Sequence, residues 1–159
     1  MSTSTSPMNA STTNRIEKTM VLRAPRAKVW GALTDPVQFG AWFGARLKDP
    51  FTPGTRVRGP MTAPGHEQYA LDMTIYRVEP ERLFSWRWHP GGDPNPDPSE
   101  PMTLVVFELE EIPEGTRLTV RESGFDQIPA ARRGKVYREN TEGWTGQFEN
   151  LRKYLASAA

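Results

Sequence analysis

Few residues in this chain can do chemistry near neutral pH. The 159 residues include two histidines and no cysteine. Thiolate nucleophiles, disulfides, iron–sulfur clusters and Cys-based zinc sites are therefore excluded, because each needs sulfur. The stretch His66-Glu67-Gln68-Tyr69-Ala70 opens like the zinc-protease helix motif, but Ala70 stands where the second histidine is required, and its surroundings read as strand. A zinc site would have to bring His66 and His89 together with a carboxylate from separate strands; two solvated histidines are the plainer expectation. There is no Gly-x-Ser-x-Gly elbow, phosphate-binding Gly-Lys loop or dinucleotide fingerprint. Serine hydrolase, nucleotide hydrolase and nicotinamide chemistry are disfavoured accordingly, and no cofactor or metal is expected.

One acid is placed unusually. In the segment from Thr116 to Gly124, Glu122 continues the alternation of Leu118 and Val120, which aims its carboxylate inward unless a bulge or the strand end intervenes. Enclosed, it needs a partner such as Tyr137, Asn140 or an arginine, and with Tyr137 it forms the candidate pair for moving protons. The plainer expectation is that it reaches water or Arg121 at the strand end. Arg132, Arg133, Lys135 and Arg138 form a basic patch near the start of the last helix; a solvated face balanced by Glu139 and Glu142 is expected there, with an anionic partner surface as the alternative.

The other conspicuous residues are rings, which make up 10% of the chain. Trp42, Phe43, Tyr69, Phe84, Trp86, Trp88, Phe107, Phe125, Tyr137, Trp144 and Phe148 can converge in one layer, with Met73 beside them. Such a layer is either a filled core or the lining of a ligand pocket, which is typically ~300–1,000 Å³ and built of such side chains.

The elements that must position these residues follow from periodicity. Asn14 to Leu22 alternates as a strand. Pro25 and Asp35-Pro36 each start a short helix, the second with Asp as N-cap and Pro in its first turn. Extended segments are expected over 55–61, 67–79, 82–89, 102–112 and 116–124, with Tyr69, Leu71, Met73 and Ile75 on one side and Phe84, Trp86 and Trp88 sharing another face. Glu114-Gly115 marks a hairpin, and Pro90, Pro94, Pro96, Pro98 and Pro101 force a surface loop. A helix of about six turns, roughly 131–157, carries Tyr137, Thr141, Trp144, Phe148, Leu151 and Leu155 at spacings of three and four. Gly143 and Gly146 within it suggest a close approach or a space left open over a cavity, since each costs about 1 kcal/mol relative to Ala. The sum is an α+β domain with an antiparallel meander.

Composition bounds the rest. The length suits one domain, expected over 14–157, with residues 1–13 (MSTSTSPMNASTT) a disordered tail lacking the features of a secretory signal. Twenty Lys and Arg against 19 Asp and Glu leave a net charge of +1, so no nucleic-acid partner is expected. No window approaches the ~20 apolar residues of a membrane span, and the expected location is cytoplasmic. Two-fold association is the base-rate expectation for oligomeric state.

Strand, two short helices, antiparallel strands and a long last helix, in that order, resemble the helix-grip fold of the START-like (SRPBCC) superfamily. Ala24-Pro25 with Val29-Trp30, Ala32-Leu33-Thr34-Asp35-Pro36, Trp42-Phe43-Gly44, Arg82-Leu83-Phe84-Ser85-Trp86, Gly115-Thr116-Arg117-Leu118-Thr119 and Gly143-Trp144 are similar to its branch of activator-of-heat-shock-protein-ATPase homologues, bacterial single-domain type. The segment Arg58 to Pro64 and the proline-dense loop depart from the compact hairpins usual there. The resemblance implies a curved sheet wrapped around the last helix, with a pocket between them for a hydrophobic small molecule such as a lipid or polyketide. It also implies two alternatives: a cyclase- or dehydratase-like enzyme using that pocket, with Glu122 and Tyr137 as its acid and base, or a chaperone-ATPase-activating interaction module.

Overall fold

The computed structural model describes residues 15–91 and 98–157. The expected tail, together with Pro94 and Pro96 of the loop, lies outside the described residues. Six strands form one antiparallel sheet in the order β1-β6-β5-β4-β3-β2: β1 Arg15–Leu22, β2 Arg56–Pro60, β3 Ala70–Glu79, β4 Leu83–Trp88, β5 Thr103–Ile112 and β6 Gly115–Ser123. Strands 2 to 6 make the expected meander, and β1 closes it by pairing with β6 from Arg15 opposite Ser123 to Leu22 opposite Thr116. Helices α1 (Arg26–Thr34) and α2 (Pro36–Phe43) follow β1, and α3 (Ala130–Ser157) ends the chain after a short 3-10 turn at Phe125–Gln127. This is the curved open sheet gripping a long C-terminal helix that the sequence resemblance implies.

Local chemistry explains the boundaries. Asp35 Oδ2 accepts the Gln38 amide at 2.9 Å and Pro36 occupies the first turn, so α2 starts as expected. Gly44, at φ +94°, ends it. Gly40 within α2 lets the chain fold back on itself: a Cβ there would lie 2.2 Å from the Ala45 carbonyl oxygen.

Alternation sets the inner face of the sheet. Val105, Phe107, Leu118 and Val120 are fully buried, as are Phe84 and Trp86 on β4. Two expectations are corrected on β3. It begins at Ala70 rather than residue 67, so Tyr69 is not part of the row of Leu71, Met73 and Ile75. Tyr76 follows the alternation outward, beneath the Arg87 guanidinium at 4.6 Å, and a bulge between Ile75 and Arg77 then breaks the pattern, leaving Arg77 exposed as well. The bulge amide of Arg77 donates to the buried Ser85 Oγ.

The last helix runs 28 residues, starting one residue before the expected range of 131–157, and makes roughly eight turns at 3.6 residues each rather than six. It is held along its length. Tyr137 Oη donates to the Arg15 carbonyl at 3.1 Å, Gln147 Nε2 to the Phe43 carbonyl at 2.9 Å and Lys28 Nζ to the Leu155 carbonyl at 3.4 Å. Gly143 and Gly146 correct a further expectation. Both lie on the exposed face, and an added Cβ would meet nothing within 4 Å, so they mark neither a close approach nor a cavity.

Candidate functional site

The strand registers bring the inner-face residues into rows. Ile16, Glu122, Val105, Trp86 and Ile75 lie side by side across β1, β6, β5, β4 and β3, and Trp88 faces Thr103 and Met73 one step along. Above them, α3 presents Trp144 and Phe148. The helix and the sheet therefore enclose both the rings and one acid.

Glu122 is fully buried. Its Oε1 accepts from Trp144 Nε1 at 2.8 Å and Asn140 Nδ2 at 2.9 Å; its Oε2 accepts from Trp88 Nε1 at 2.8 Å, Thr103 Oγ1 at 2.6 Å and Asn140 Nδ2 at 2.9 Å. These five contacts come only from donors and fill the roughly four lone-pair sites of a carboxylate. Asn140 also bonds through its other amide atom. Its Oδ1 accepts the Gly91 amide at 3.0 Å, tying the start of the proline-dense loop to the same hub. Hydrogen bonds to a charged group contribute about 1.5–3 kcal/mol each, against a desolvation cost of several kcal/mol for the ion. Losing one partner is costly, because it leaves the remaining buried groups unmatched.

Inward parity is as expected for Glu122, but the expected reach to water or Arg121 at the strand end is corrected: the carboxylate is fully buried among donors that include Asn140. Tyr137 is elsewhere. Its hydroxyl faces the Arg15 carbonyl and its ring packs edge-on against Phe125, 5.3 Å between centroids. The pairing of Glu122 with Tyr137 is thus not assembled, and Arg121 lies on the opposite face with Glu108 and Glu17. Trp88, Thr103 and Trp144 are hub donors that the sequence reading missed. The available signals were the spacing of four between Asn140 and Trp144 on one helix face and an indole on each of two facing elements.

Around the hub lies the aromatic layer. The Trp86 ring has Phe39, Phe84, Trp88, Phe107 and Trp144 within 5.3–6.3 Å of its centroid. Phe43 stacks on Phe39 at 4.9 Å and reaches Trp88 at 6.1 Å, where the layer meets the surface through the half-buried Trp88. Met73 and Phe148 are buried in the same core. Trp42 is buried too, but its indole N–H is engaged by the Ala32 carbonyl at 2.8 Å, joining α2 to α1. Phe39 and Phe51 belong to the layer although neither is among the rings expected to converge there. Tyr69 does not; it is half-exposed beside His66, 5.9 Å between centroids. His89 contacts the Glu100 carbonyl at 2.9 Å.

One polar atom in the layer is unmatched. Among the described residues, buried Trp86 Nε1 has no hydrogen-bond partner. An unsatisfied buried donor costs about 1–3 kcal/mol, so its retention needs a reason. Among the described residues, clefts of about 280 and 570 Å³ open at the surface, and a ring of this layer lines neither of them.

The basic patch is largely engaged at home. Arg132 pairs with Glu100, Arg133 donates to the Asp126 and Ile128 carbonyls, and Lys135 lies 4.0 Å from Glu139. No helix among the described residues is long and apolar enough to cross a membrane.

Among curated proteins, none matches the chain. Solved structures do. Protein MLL2253 from Mesorhizobium loti is 25% identical with a TM-score of 0.73, over 91% of this chain and 98% of that one. Protein Ms6760 from Mycobacterium smegmatis is 26% identical with a TM-score of 0.71, over 89% and 90%. DynU16, of the dynemicin biosynthetic locus, is 26% identical with a TM-score of 0.71 over 91% of this chain, which spans 48% of that protein. The family profile described as Activator of Hsp90 ATPase homolog 1-like protein matches residues 23–156. By that match the chain belongs to the Activator of Hsp90 ATPase homolog 1-like family.

Proposed function

We propose that this chain binds an uncharged, mainly apolar small molecule within the aromatic layer between the inner sheet face and α3, with the Trp86 indole N–H donating to an acceptor oxygen on it. The observation that carries this reading is the unpartnered Trp86 Nε1 in the middle of the rings. A carbonyl or ether oxygen delivered there supplies the missing acceptor, while ring contacts supply burial of about 25 cal/mol per Å². Charge narrows the class. Glu122 is buried in the same layer, so a ligand carboxylate would be brought beside another acid, whereas a neutral acceptor meets Trp86 without that cost. Entry requires the rings to part, and the half-buried Trp88 beside Phe43 is the place for it. The proposed lining is Trp42, Phe43, Met73, Phe84, Trp86, Trp88, Phe107, Trp144 and Phe148. The similarity to DynU16, of the dynemicin biosynthetic locus, is in keeping with a ligand of lipid or polyketide type.

The test is a thermal-shift comparison of 9-fluorenone with fluorene, ring systems of the same shape with and without a carbonyl. Fluorenone is expected to raise the melting temperature more than fluorene, since stability rises with occupancy, and Trp86→Phe is expected to remove the difference. Equal shifts in the native chain, or no shift with either compound, would overturn the reading.

A further inference from the structure

The larger surface cleft shares no residue with the aromatic layer. It is formed where β1 ends, α1 begins and α3 finishes, with a volume of about 570 Å³. Its floor is apolar: Leu22, Ala24 and Leu155 are buried there, and Val21, 48% exposed, continues it outward. Its charged wall is of one sign. Among the described residues, Arg23, Lys28 and Arg152 line it, and no acid does. The first turn of α1 carries no acid either.

The smaller cleft shows that this is not the general state of the surface. There Arg82, Arg117 and Arg121 alternate with Glu108 and Glu110, and ion pairs with Glu79, Glu110 and Glu108 neutralise the three arginines. In the larger cleft only Arg152 has an acid, Glu149, which does not line the space. Among the described residues no carboxylate pairs with Arg23 or Lys28. Lys28 Nζ has three N–H groups, and the Leu155 carbonyl takes one. A concavity of this volume is within the usual range for small-molecule sites, and an apolar floor under convergent cations fits an amphiphile with a negative head.

We propose that this cleft binds a small amphiphilic anion, a free carboxylate with a short hydrocarbon chain, its head on Arg23 and Lys28 and its chain on the floor between Leu22 and Leu155. The site is separate from the aromatic layer and opposite to it in charge preference.

The test is a titration of the ¹⁵N-labelled full chain with sodium octanoate, octanol and octylammonium, followed by amide and indole shifts. Octanoate is expected to give saturable shifts at Arg23, Lys28 and Ala156, to exceed octanol in affinity, and to outdo octylammonium entirely. Arg23→Gln or Lys28→Gln should each weaken octanoate about tenfold, as loss of one charge-assisted hydrogen bond does. Arg23 is exposed, so its variant leaves the core intact. Trp86→Phe should leave octanoate affinity unchanged, which separates this site from the one proposed between sheet and helix. Octanoate shifts concentrated on the inner-face indoles, equal affinity for octanol, or no saturable shift would overturn the proposal.

Discussion

At the scale of single residues, the interior contains two opposite solutions to the same problem. Glu122 is a buried acceptor with more donors than it needs; Trp86 is a buried donor with none of the acceptors it needs. The first makes Glu122 a pin rather than a free acid or base. Its replacement by glutamine keeps the shape but puts an NH₂ group against the N–H groups of Trp88, Trp144 or Asn140. Glu122→Gln is therefore expected to cost about 2–3 kcal/mol, the range for leaving buried charged-group hydrogen bonds unmade, and to lower the urea midpoint. An unchanged midpoint would mean that the hub is not closed as described. Inward placement of this acid is legible in the sequence because alternation from Leu118 through Val120 fixes parity. The donors are not, because they come from β4, β5 and α3 and meet only once the sheet has formed.

At the scale of elements, α3 shows where sequence patterning succeeds and fails. Its apolar stripe at spacings of three and four predicts the buried positions Trp144, Phe148, Leu151 and Leu155, which the structure places against the sheet. Composition misleads at Gly143 and Gly146, because a glycine in a helix reads as a structural requirement, yet both face open space. Their substitution should consequently help. Gly143→Ala and Gly146→Ala are each expected to stabilise the chain by up to about 1 kcal/mol, seen as a higher melting temperature, the gain from helix propensity alone. Gly40→Ala supplies the contrast, since its Cβ would collide with the Ala45 carbonyl, and it should destabilise by about 1–3 kcal/mol. On β3, alternation gives the inner row from Leu71 to Ile75 but cannot reveal the bulge at Tyr76, which depends on the Ser85 hydroxyl of the neighbouring strand.

At the scale of the whole molecule, the order of elements is readable because each has its own local signal: proline-started short helices, a hairpin at Glu114-Gly115 and one long amphipathic helix. Whether the space under that helix is lined or filled is not readable, since rings at the same spacing serve a core and a pocket equally. The structure shows rings in mutual contact with a single unmatched N–H among them. The proposed function depends on that atom being a ligand donor. The most direct measurement follows the five tryptophan indole N–H resonances during a fluorenone titration of the ¹⁵N-labelled chain. The Trp86 resonance should move downfield to saturation, as an N–H that gains an acceptor does, and by more than those of Trp88 and Trp144, which are already bonded to Glu122. A Trp86 resonance that stays fixed as ligand saturates the protein, or that never responds at all, would contradict that role.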